Sequence, residues 1–255
     1  MTGGGAGARP RVLVVAGLDP SGGAGLVADL EALAAVGASG WAVATALTAQ
    51  GPGGGRGFRP TTAGFLRAQL EALLCGGERA RAVKTGMMGN ASLVRELAGR
   101  LAEVPLVRLP VVVDPVLAAS SGLPLLRLEG RSPGEAYAPL LERARVVTPN
   151  LPELEALTGR DVSTEAGAVR AARELPSRAV LVKGGHREGA PVDLLVQGRS
   201  VVRLRGRRRA GSARGTGCRL ASALAGLLAR GEPLESAARG AKRVVERYLD
   251  AGRSG

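Results

Sequence analysis

The segment Gly215-Thr216-Gly217-Cys218 combines a glycine turn with a side chain that can exchange a proton. An apolar helical pattern follows directly, so the segment is typical of a loop that opens a helix. Glycines let backbone N–H groups point at one spot, and a helix N-terminus adds partial positive charge. We therefore predict an anion hole at Gly215, Thr216 and Gly217, suited to a phosphate. At a helix N-terminus the pKa of the Cys218 thiol is expected to fall, which would make it a base or nucleophile near neutral pH. The alternative, to which the segment alone gives equal weight, is a small buried Cys that only fills the core.

Further polar residues follow directly after predicted strands. Asp114 ends the run VVVD, Asn150 and Glu153 stand three residues apart on a first helical turn, and Lys183 ends another strand. In a parallel sheet ligands bind beyond the carboxyl ends of the strands, so these side chains are expected at one edge. Asp114 and Glu153 could orient Mg²⁺-bound water beside a nucleotide, and Lys183 suits phosphate charge. The alternatives are that Asn150 and Glu153 cap a helix and that Lys183 is merely solvated.

Strands and helices alternate along the chain. Continuous apolar runs predict strands at residues 11–16, 41–47, 80–84, 109–114, 145–148 and 179–183, followed by an antiparallel pair at 192–196 and 201–204. Helical spacing separates most of them, and two helices finish the chain. This order predicts an α/β fold, namely a three-layer α/β/α sandwich with a mostly parallel central sheet. We expect one domain over residues 1–255, with flexible tails at 1–9 and 252–255.

Composition limits the function classes. The 255 residues are 45% hydrophobic, contain no run long enough to span a membrane, and begin without an apolar leader. Two distant cysteines form no metal or disulfide framework, and we expect a cytoplasmic protein. The charge of +13 is almost entirely arginine, which indicates coding bias, and the cluster at residues 203–209 lacks interleaved aromatics. We therefore expect no nucleic-acid partner. Rare residue types such as Lys183, Asn150 and His186 are functional candidates.

Seven motifs in order carry a resemblance to a known family. The chain resembles the hydroxymethylpyrimidine/phosphomethylpyrimidine kinases of thiamine biosynthesis, which have the ribokinase-like fold, over about residues 11–249. The motifs are AGLDPSGGAG (16–25) with ADL (28–30), TALTAQ (45–50), KTGM (84–87), VDPV (113–116), TPNLPE (148–153), VKGGH (182–186) and GTGC (215–218).

The resemblance implies an ATP- and Mg²⁺-dependent kinase that phosphorylates a hydroxymethyl aminopyrimidine and then its monophosphate. It implies pyrimidine contacts from Asp29, Gln50, Met87 and Val116. Asn150 and Glu153 would serve the Mg²⁺–ATP side, where we also place Asp114 and Lys183. The Gly215–Cys218 loop would hold the transferred phosphate, with Cys218 taking the hydroxyl proton. Mg²⁺ would be held mainly by ATP phosphates and water, and we expect a homodimer.

The sequence departs from the family pattern beside the active loop. Gly51 and Pro52 replace Asn and Thr after Gln50, GSAR (211–214) replaces Lys-Asn-Thr-His, and Arg219 replaces Thr. Arg214 and Arg219 could supply phosphate contacts in place of the lost ones, or mark a paralogue with altered substrate or weaker activity. Two alternatives follow: a pyridoxal kinase of the same fold, and a catalytically silent pyrimidine-binding or regulatory module.

Overall fold

The computed structural model describes residues 9–51, 53–75, 79–184, 191–206 and 214–251. Outside these ranges lie His186, Pro52, residues 207–209 and 211–213, residues 1–8 of the expected tail at 1–9, and the expected tail at 252–255. In the described ranges, no helix has both the length and the apolar character needed to cross a membrane.

A nine-stranded sheet forms the centre of the molecule. The described residues form eleven strands, nine in this sheet and two in a separate pair: β1 (Arg11–Leu18), β2 (Ser39–Gly51), β3 (Gly54–Pro60), β4 (Ala82–Thr85), β5 (Gly89–Asn90), β6 (Val111–Val113), β7 (Leu126–Arg127), β8 (Val146–Val147), β9 (Val180–Val182), β10 (Val192–Gln197) and β11 (Ser200–Arg205). The sheet order is β11-β10-β9-β8-β6-β4-β1-β2-β3, and β5 pairs with β7 separately. The six strands from β9 to β2 run parallel, while β3, β10 and β11 add antiparallel pairs at the edges.

Eight helices in the described ranges cover the two faces of the sheet. They are α1 (Gly25–Ala35), α2 (Ala63–Leu74), α3 (Ala91–Leu101), α4 (Pro133–Leu141), α5 (Leu151–Thr158), α6 (Glu165–Glu174), α7 (Thr216–Ala229) and α8 (Leu234–Ala251). Side chains cap the N-termini of five of them, from Thr62, Asn90, Ser132, Asn150 and Thr164.

Alternation along β1 separates two apolar cores. Leu13 and Val15 pack into the core beneath α2–α6, whereas Val12 and Val14 pack into the core beneath α1, α7 and α8. A strand that is buried on both faces needs helices on both faces. The predicted three-layer α/β/α sandwich with a mostly parallel sheet is therefore confirmed.

The hairpin between β2 and β3 was not predicted. β3 pairs antiparallel with β2 from Ala46↔Pro60 to Gly51↔Gly54, with an irregularity between Ala49 and Gln50. Its sequence GGRGFRP is poor in strand-forming residues, so it gives no period-2 signal. The hairpin extends the sheet at the end that carries Gln50.

Candidate active site

Two helices without side-chain caps begin at the same place. The N-cap residues are Ala24 for α1 and Gly215 for α7, and neither supplies a capping side chain. Gly215 has φ +70°, and a Cβ there would lie 2.2 Å from the Gly23 carbonyl oxygen, so only glycine allows this approach. The first N–H groups of α7 have no intrahelical acceptor, which leaves them for an anion.

Cys218 lies in the first turn of α7 and is partly buried. Burial raises the pKa of its thiol to about 11, and the Asp29 and Asp114 carboxylates add to the rise. The Lys84 ammonium and a hydrogen bond from the Gly25 N–H act in the opposite direction but do not offset it. The expected lowering of the Cys218 pKa is therefore wrong, because desolvation outweighs the Lys84 ammonium and the Gly25 hydrogen bond. The resting side chain is a thiol at neutral pH.

Lys183 lies between the residues predicted to bind Mg²⁺–ATP and the Gly215–Cys218 loop. Its Nζ lies 2.8 Å from Asp114 Oδ1 and 3.5 Å from Glu153 Oε2. A Cβ at Gly217 would lie 3.1 Å from the same Nζ, so the ammonium adjoins the first turn of α7. Burial alone would lower the pKa of Lys183, but the two carboxylates raise it above its ordinary value. The structure thus brings Asp114, Glu153 and Lys183 together at the carboxyl edge of the sheet.

Asn150 and Glu153 form a reciprocal capping box at the start of α5. Asn150 Oδ1 accepts from the Glu153 N–H and Glu153 Oε2 accepts from the Asn150 N–H, both at 2.8 Å. The helix-capping alternative therefore describes real contacts. Burial raises the pKa of Glu153, Asp114 raises it further, and Lys183 opposes the rise.

The carboxylates at this edge suit Mg²⁺, a hard cation that prefers oxygen ligands. Asp114 Oδ1 accepts from Lys183 and from Thr148 Oγ1 at 3.1 Å, and Glu153 Oε2 serves the capping box. Among the described residues, no hydrogen bond uses Asp114 Oδ2 or Glu153 Oε1, and no group of three or more His, Cys, Asp and Glu forms a metal cluster. The donor set therefore fits an ion that takes most of its ligands from ATP phosphates and water.

A small apolar cluster separate from the two main cores flanks Gln50. Met87 is buried in it and Val116 lines it. The cluster comprises Ala46, Met87 and Leu125, with Phe58, Val116, Ala119 and Leu123 packed against them. Thr45 Oγ1 donates to the Met87 carbonyl at 2.5 Å, which fixes the loop after β4. Gln50 pairs in register with Gly55, and a Cβ at Gly55 would lie 2.8 Å from Leu123 of the cluster. A polar carboxamide beside an apolar surface is the arrangement that a flat heterocyclic ring requires.

Asp29 does not lie in this cluster. Asp29 is fully buried. Its Oδ1 accepts hydrogen bonds from Lys84 Nζ at 2.7 Å and from Ser222 Oγ at 2.8 Å. The enclosed carboxylate lies outside the apolar cluster, and a pyrimidine contact from Asp29 stays a prediction. Burial raises the pKa of Asp29, although Lys84 and Ser222 favour the charged form.

Lys84 is the residue that sequence reasoning missed. It is fully buried on β4, yet its charge lies close enough to Cys218 for each to influence the other. Burial alone would lower the pKa of Lys84, but Asp29 raises it above its ordinary value. The rarity of lysine, which occurs at only three positions in the chain, could have identified Lys84 as a candidate.

The two arginines that depart from the family pattern are already bonded to protein groups. Arg214 donates to Asp19 Oδ2 at 3.0 Å and to Ser21 Oγ at 3.2 Å. The Arg219 guanidinium bonds Glu31 at 2.7 Å and the Gly23 carbonyl at 3.0 Å. Both side chains hold the loop before α1 against the loop before α7, which is a structural role distinct from the phosphate contact considered above.

Sequence comparisons place these features among known proteins. The profile described as phosphomethylpyrimidine kinase matches residues 19–254. The chain is 40% identical to a hydroxymethylpyrimidine/phosphomethylpyrimidine kinase of Streptomyces coelicolor, over 95% of this chain and 90% of that protein. It is 41% identical to a thiamine biosynthesis bifunctional protein of Geobacter sulfurreducens, over 93% of this chain. It spans only 48% of that protein and 33% of a multifunctional relative from Corynebacterium efficiens.

The fold is also similar to solved structures, of which a pyrimidine kinase and a pyridoxal kinase are examples. A phosphomethylpyrimidine kinase of Clostridium difficile superposes with a TM-score of 0.79 at 31% identity, covering 94% of this chain and all of that one. A pyridoxal kinase of Staphylococcus aureus, in complex with pyridoxal, superposes with a TM-score of 0.80 at 28% identity, covering 94% and 87%.

Proposed function

Because the chain belongs to the phosphomethylpyrimidine kinase family, we propose that it transfers the γ-phosphoryl group of ATP to the hydroxymethyl oxygen of an aminopyrimidine. The resulting monophosphate is the second substrate, which places the reaction in thiamine biosynthesis. The observation that supports this proposal best is the meeting of two uncapped helix N-termini and the Lys183 ammonium around Cys218. Such a site stabilises charge on a transferring phosphoryl group.

Catalysis in this proposal is mainly positioning and charge stabilisation. The N–H groups of the anion hole at Gly215, Thr216 and Gly217, together with that of Cys218, hold the phosphoryl oxygens, and Lys183 contacts the ATP phosphates. The new O–P bond forms as the bond from the γ-phosphorus to ADP breaks, and the hydroxyl proton passes to the thiolate form of Cys218, which is regenerated when the resulting thiol releases a proton to water. Asp114, Asn150 and Glu153 would hold a Mg²⁺ ion by way of water, and the ion would supply positive charge that neutralises the phosphates.

Ring recognition is assigned to Gln50, Met87 and Val116. An aminopyrimidine presents a donor beside a ring-nitrogen acceptor, and one carboxamide can answer both. Gln50→Leu should weaken pyrimidine binding far more than ATP binding in calorimetric titrations. An equal loss of both affinities would assign Gln50 to the fold instead.

Cys218→Ser tests the proton-transfer role. Turnover should fall by roughly 10²–10⁴-fold, as on losing general acid–base help, while ATP binding changes little. Cys75→Ser is the matched control, because Cys75 is exposed at the end of α2 and should keep full activity. Turnover close to wild type in Cys218→Ser would remove Cys218 from the chemistry.

The pH profile tests the same role without a substitution. The thiolate is the form that accepts a proton, and the Cys218 pKa is raised to about 11. kcat/KM for the pyrimidine should therefore rise with pH from about 7 toward about 10 instead of levelling off near 8. A plateau near neutrality would assign the proton transfer to another group.

A pyridoxal kinase is the second candidate function, because the pyridoxal kinase structure superposes as well as the phosphomethylpyrimidine kinase structure. A coupled ADP-release assay with hydroxymethylpyrimidine, its monophosphate and pyridoxal separates the candidates by kcat/KM. No turnover with any of them, together with retained pyrimidine binding, would favour a silent binding paralogue.

The number of domains, the oligomeric state and the cellular compartment can also be proposed. We propose one kinase domain that forms a homodimer in the cytoplasm, where ATP is supplied and the free thiols of Cys75 and Cys218 stay reduced. The exposed apolar side chains of Leu47 and Phe65 are candidates for the dimer contact. Light scattering of the purified chain tests the dimer.

A further inference from the structure

Helices α1 and α7 pack with their N-termini together, in contacts one turn apart. The Gly25 N–H bonds the Cys218 sulfur at the first level. Four residues further along each helix, Ser222 Oγ donates to Asp29 Oδ1 at 2.8 Å. A further four residues along, a Cβ at Gly226 would lie 3.0 Å from Leu33 Cδ2. Because residues four apart share one helix face, Asp29 lies one turn, about 5–6 Å, beneath Cys218.

Lys84 reaches the same level from the sheet. Its Nζ bonds Asp29 Oδ1 at 2.7 Å, and both side chains are completely enclosed. A Cβ at Gly86 would lie 2.9 Å from this Nζ, so the ammonium is directed toward the carboxyl end of β4. Asp29 Oδ2 is buried and has no hydrogen-bond partner among the described residues. In the described part of the chain, hydrogen bonds therefore hold only one of the two carboxylate oxygens of Asp29, and the ion pair lies between the carboxyl end of β4 and Cys218.

Buried ion pairs add little net stability, since desolvation offsets the Coulomb attraction. A pair that adds little stability but lies beneath the Cys218 thiol calls for another role. The charged groups that act on Cys218 are Lys84 and Lys183, which favour the thiolate, and Asp29 and Asp114, which oppose it.

We propose that the buried Lys84–Asp29 pair positions charge for Cys218. The Lys84 ammonium stabilises the thiolate that accepts the substrate's hydroxyl proton, and Asp29 and Ser222 fix the ammonium one helical turn below the sulfur. This inference rests on the proposed function, because it assigns a purpose to the Cys218 thiolate. Lys84 and Asp29 are positioning residues, since neither contacts the reacting groups.

The test is the rate at which iodoacetamide alkylates Cys218, followed by mass spectrometry. A Cys75→Ser background leaves Cys218 as the only thiol. Below the thiol pKa the rate follows the thiolate fraction, so a one-unit pKa change alters the rate at about pH 8.5 about tenfold. Asp29→Asn leaves Lys84 unopposed and should raise the rate about tenfold. Lys84→Met leaves the carboxylate unopposed and should lower it about tenfold.

Lys242→Met is the matched control, because it breaks another buried ion pair, between Lys242 on α8 and Asp193 on β10. It should leave the alkylation rate unchanged, which separates an electrostatic effect from a general loosening of the fold. Opposite changes in Asp29→Asn and Lys84→Met support the proposal. No change in either variant, or a change of the same sign in both, overturns it. If Lys84→Met shows no cooperative thermal unfolding, Asp29→Asn decides alone: a faster rate supports the proposal, and an unchanged or slower rate overturns it.

The alkylation assay contains neither ATP nor pyrimidine, so its outcome is independent of the kinase assay. Opposite rate changes in a chain without kinase activity would refute the proposed function alone. Kinase activity with unchanged alkylation rates would refute the charge-positioning role alone.

Discussion

Lysine and arginine occupy different environments in this molecule. Lysine accounts for three of the 35 basic residues, and each lysine bonds an aspartate in the interior. The three pairs are Lys84–Asp29 at 2.7 Å, Lys183–Asp114 at 2.8 Å and Lys242–Asp193 at 2.5 Å. Several arginine–glutamate pairs instead have both side chains largely in solvent, as in Arg160–Glu174, Arg203–Glu165 and Arg239–Glu235.

The contrast follows from the shapes of the two cations. An ammonium is a compact point charge, whereas a guanidinium is a wide plane with five N–H donors that all need acceptors. A coding bias toward arginine is harmless in solvent, where either cation fits. At three buried aspartates, Asp29, Asp114 and Asp193, the partner is a compact ammonium, whereas a fourth, Asp19, bonds the guanidinium of Arg214, whose side chain is 31% exposed. Lysine in this chain therefore marks the ion pairs in which both charges are largely buried.

Lys84→Met should break this comparison most severely. It leaves Asp29 buried without a cation, and we expect a loss of about 3–5 kcal/mol in the free energy of unfolding. Urea denaturation measures the loss. Lys84→Arg should also be strongly destabilising, since the larger head group would have to fit into a completely enclosed site. A fully stable Lys84→Arg variant would show that the lysine is accidental.

Lys242→Met should have the next largest effect. Asp193 Oδ1 keeps its hydrogen bond from the Gly184 N–H at 2.8 Å, so part of the carboxylate remains satisfied. We expect a loss of about 3 kcal/mol by the same urea measurement, at the low end for a broken buried pair. A loss larger than that of Lys84→Met would reverse the predicted order of burial effects.

Arg219→Ala tests the intermediate case. The guanidinium is enclosed and lies 3.8 Å above the Tyr248 ring, while the side chain of its partner Glu31 is 59% exposed. Because one partner keeps its hydration, we expect about 1–3 kcal/mol, mostly from lost stacking and the Gly23 hydrogen bond. Thermal unfolding gives the value, and Arg219→Lys should recover little of it.

Arg239→Ala should have the smallest effect. Arg239 and Glu235 are an exposed i,i+4 pair on α8, a type that contributes about 0.3–0.5 kcal/mol. The difference from wild type should shrink further in about 1 M salt, where the Debye length is about 3 Å. A salt-insensitive loss above about 1 kcal/mol would contradict the division between buried and exposed cations.

Most of the fold was predictable because strands such as β1 are continuous apolar runs and the helices have clear apolar spacing. The β2–β3 hairpin was not, since its glycine-rich second strand gains its order from pairing with β2 and not from its own side chains. A resemblance to the family was also evident from motif order, and the match over residues 19–254 confirms it.

The candidate site was predictable only where residues act through position along a strand. The strand-end rule brought Asp114, Glu153 and Lys183 together correctly as neighbours. The pKa of Cys218 was predicted in the wrong direction, because the local helix end was known and the burial was not. The Lys84–Asp29 pair joins residues 55 positions apart, and no local pattern in the sequence reports it.

The contacts that shape the Gly215–Cys218 loop have a consequence for the synthesis and folding of the polypeptide. Asp29 with Ser222, Asp19 with Arg214 and Gly23 with Arg219 join positions 193–196 residues apart. Chains fold from the N-terminus as the ribosome releases them, and contacts this distant form late. The Asp29 carboxylate is synthesised 193 residues before its partner Ser222 on α7. The proposed phosphate site can therefore form only after α7 has been synthesised, so a chain that stops before residue 215 would carry the strands of the sheet without the Gly215–Cys218 loop.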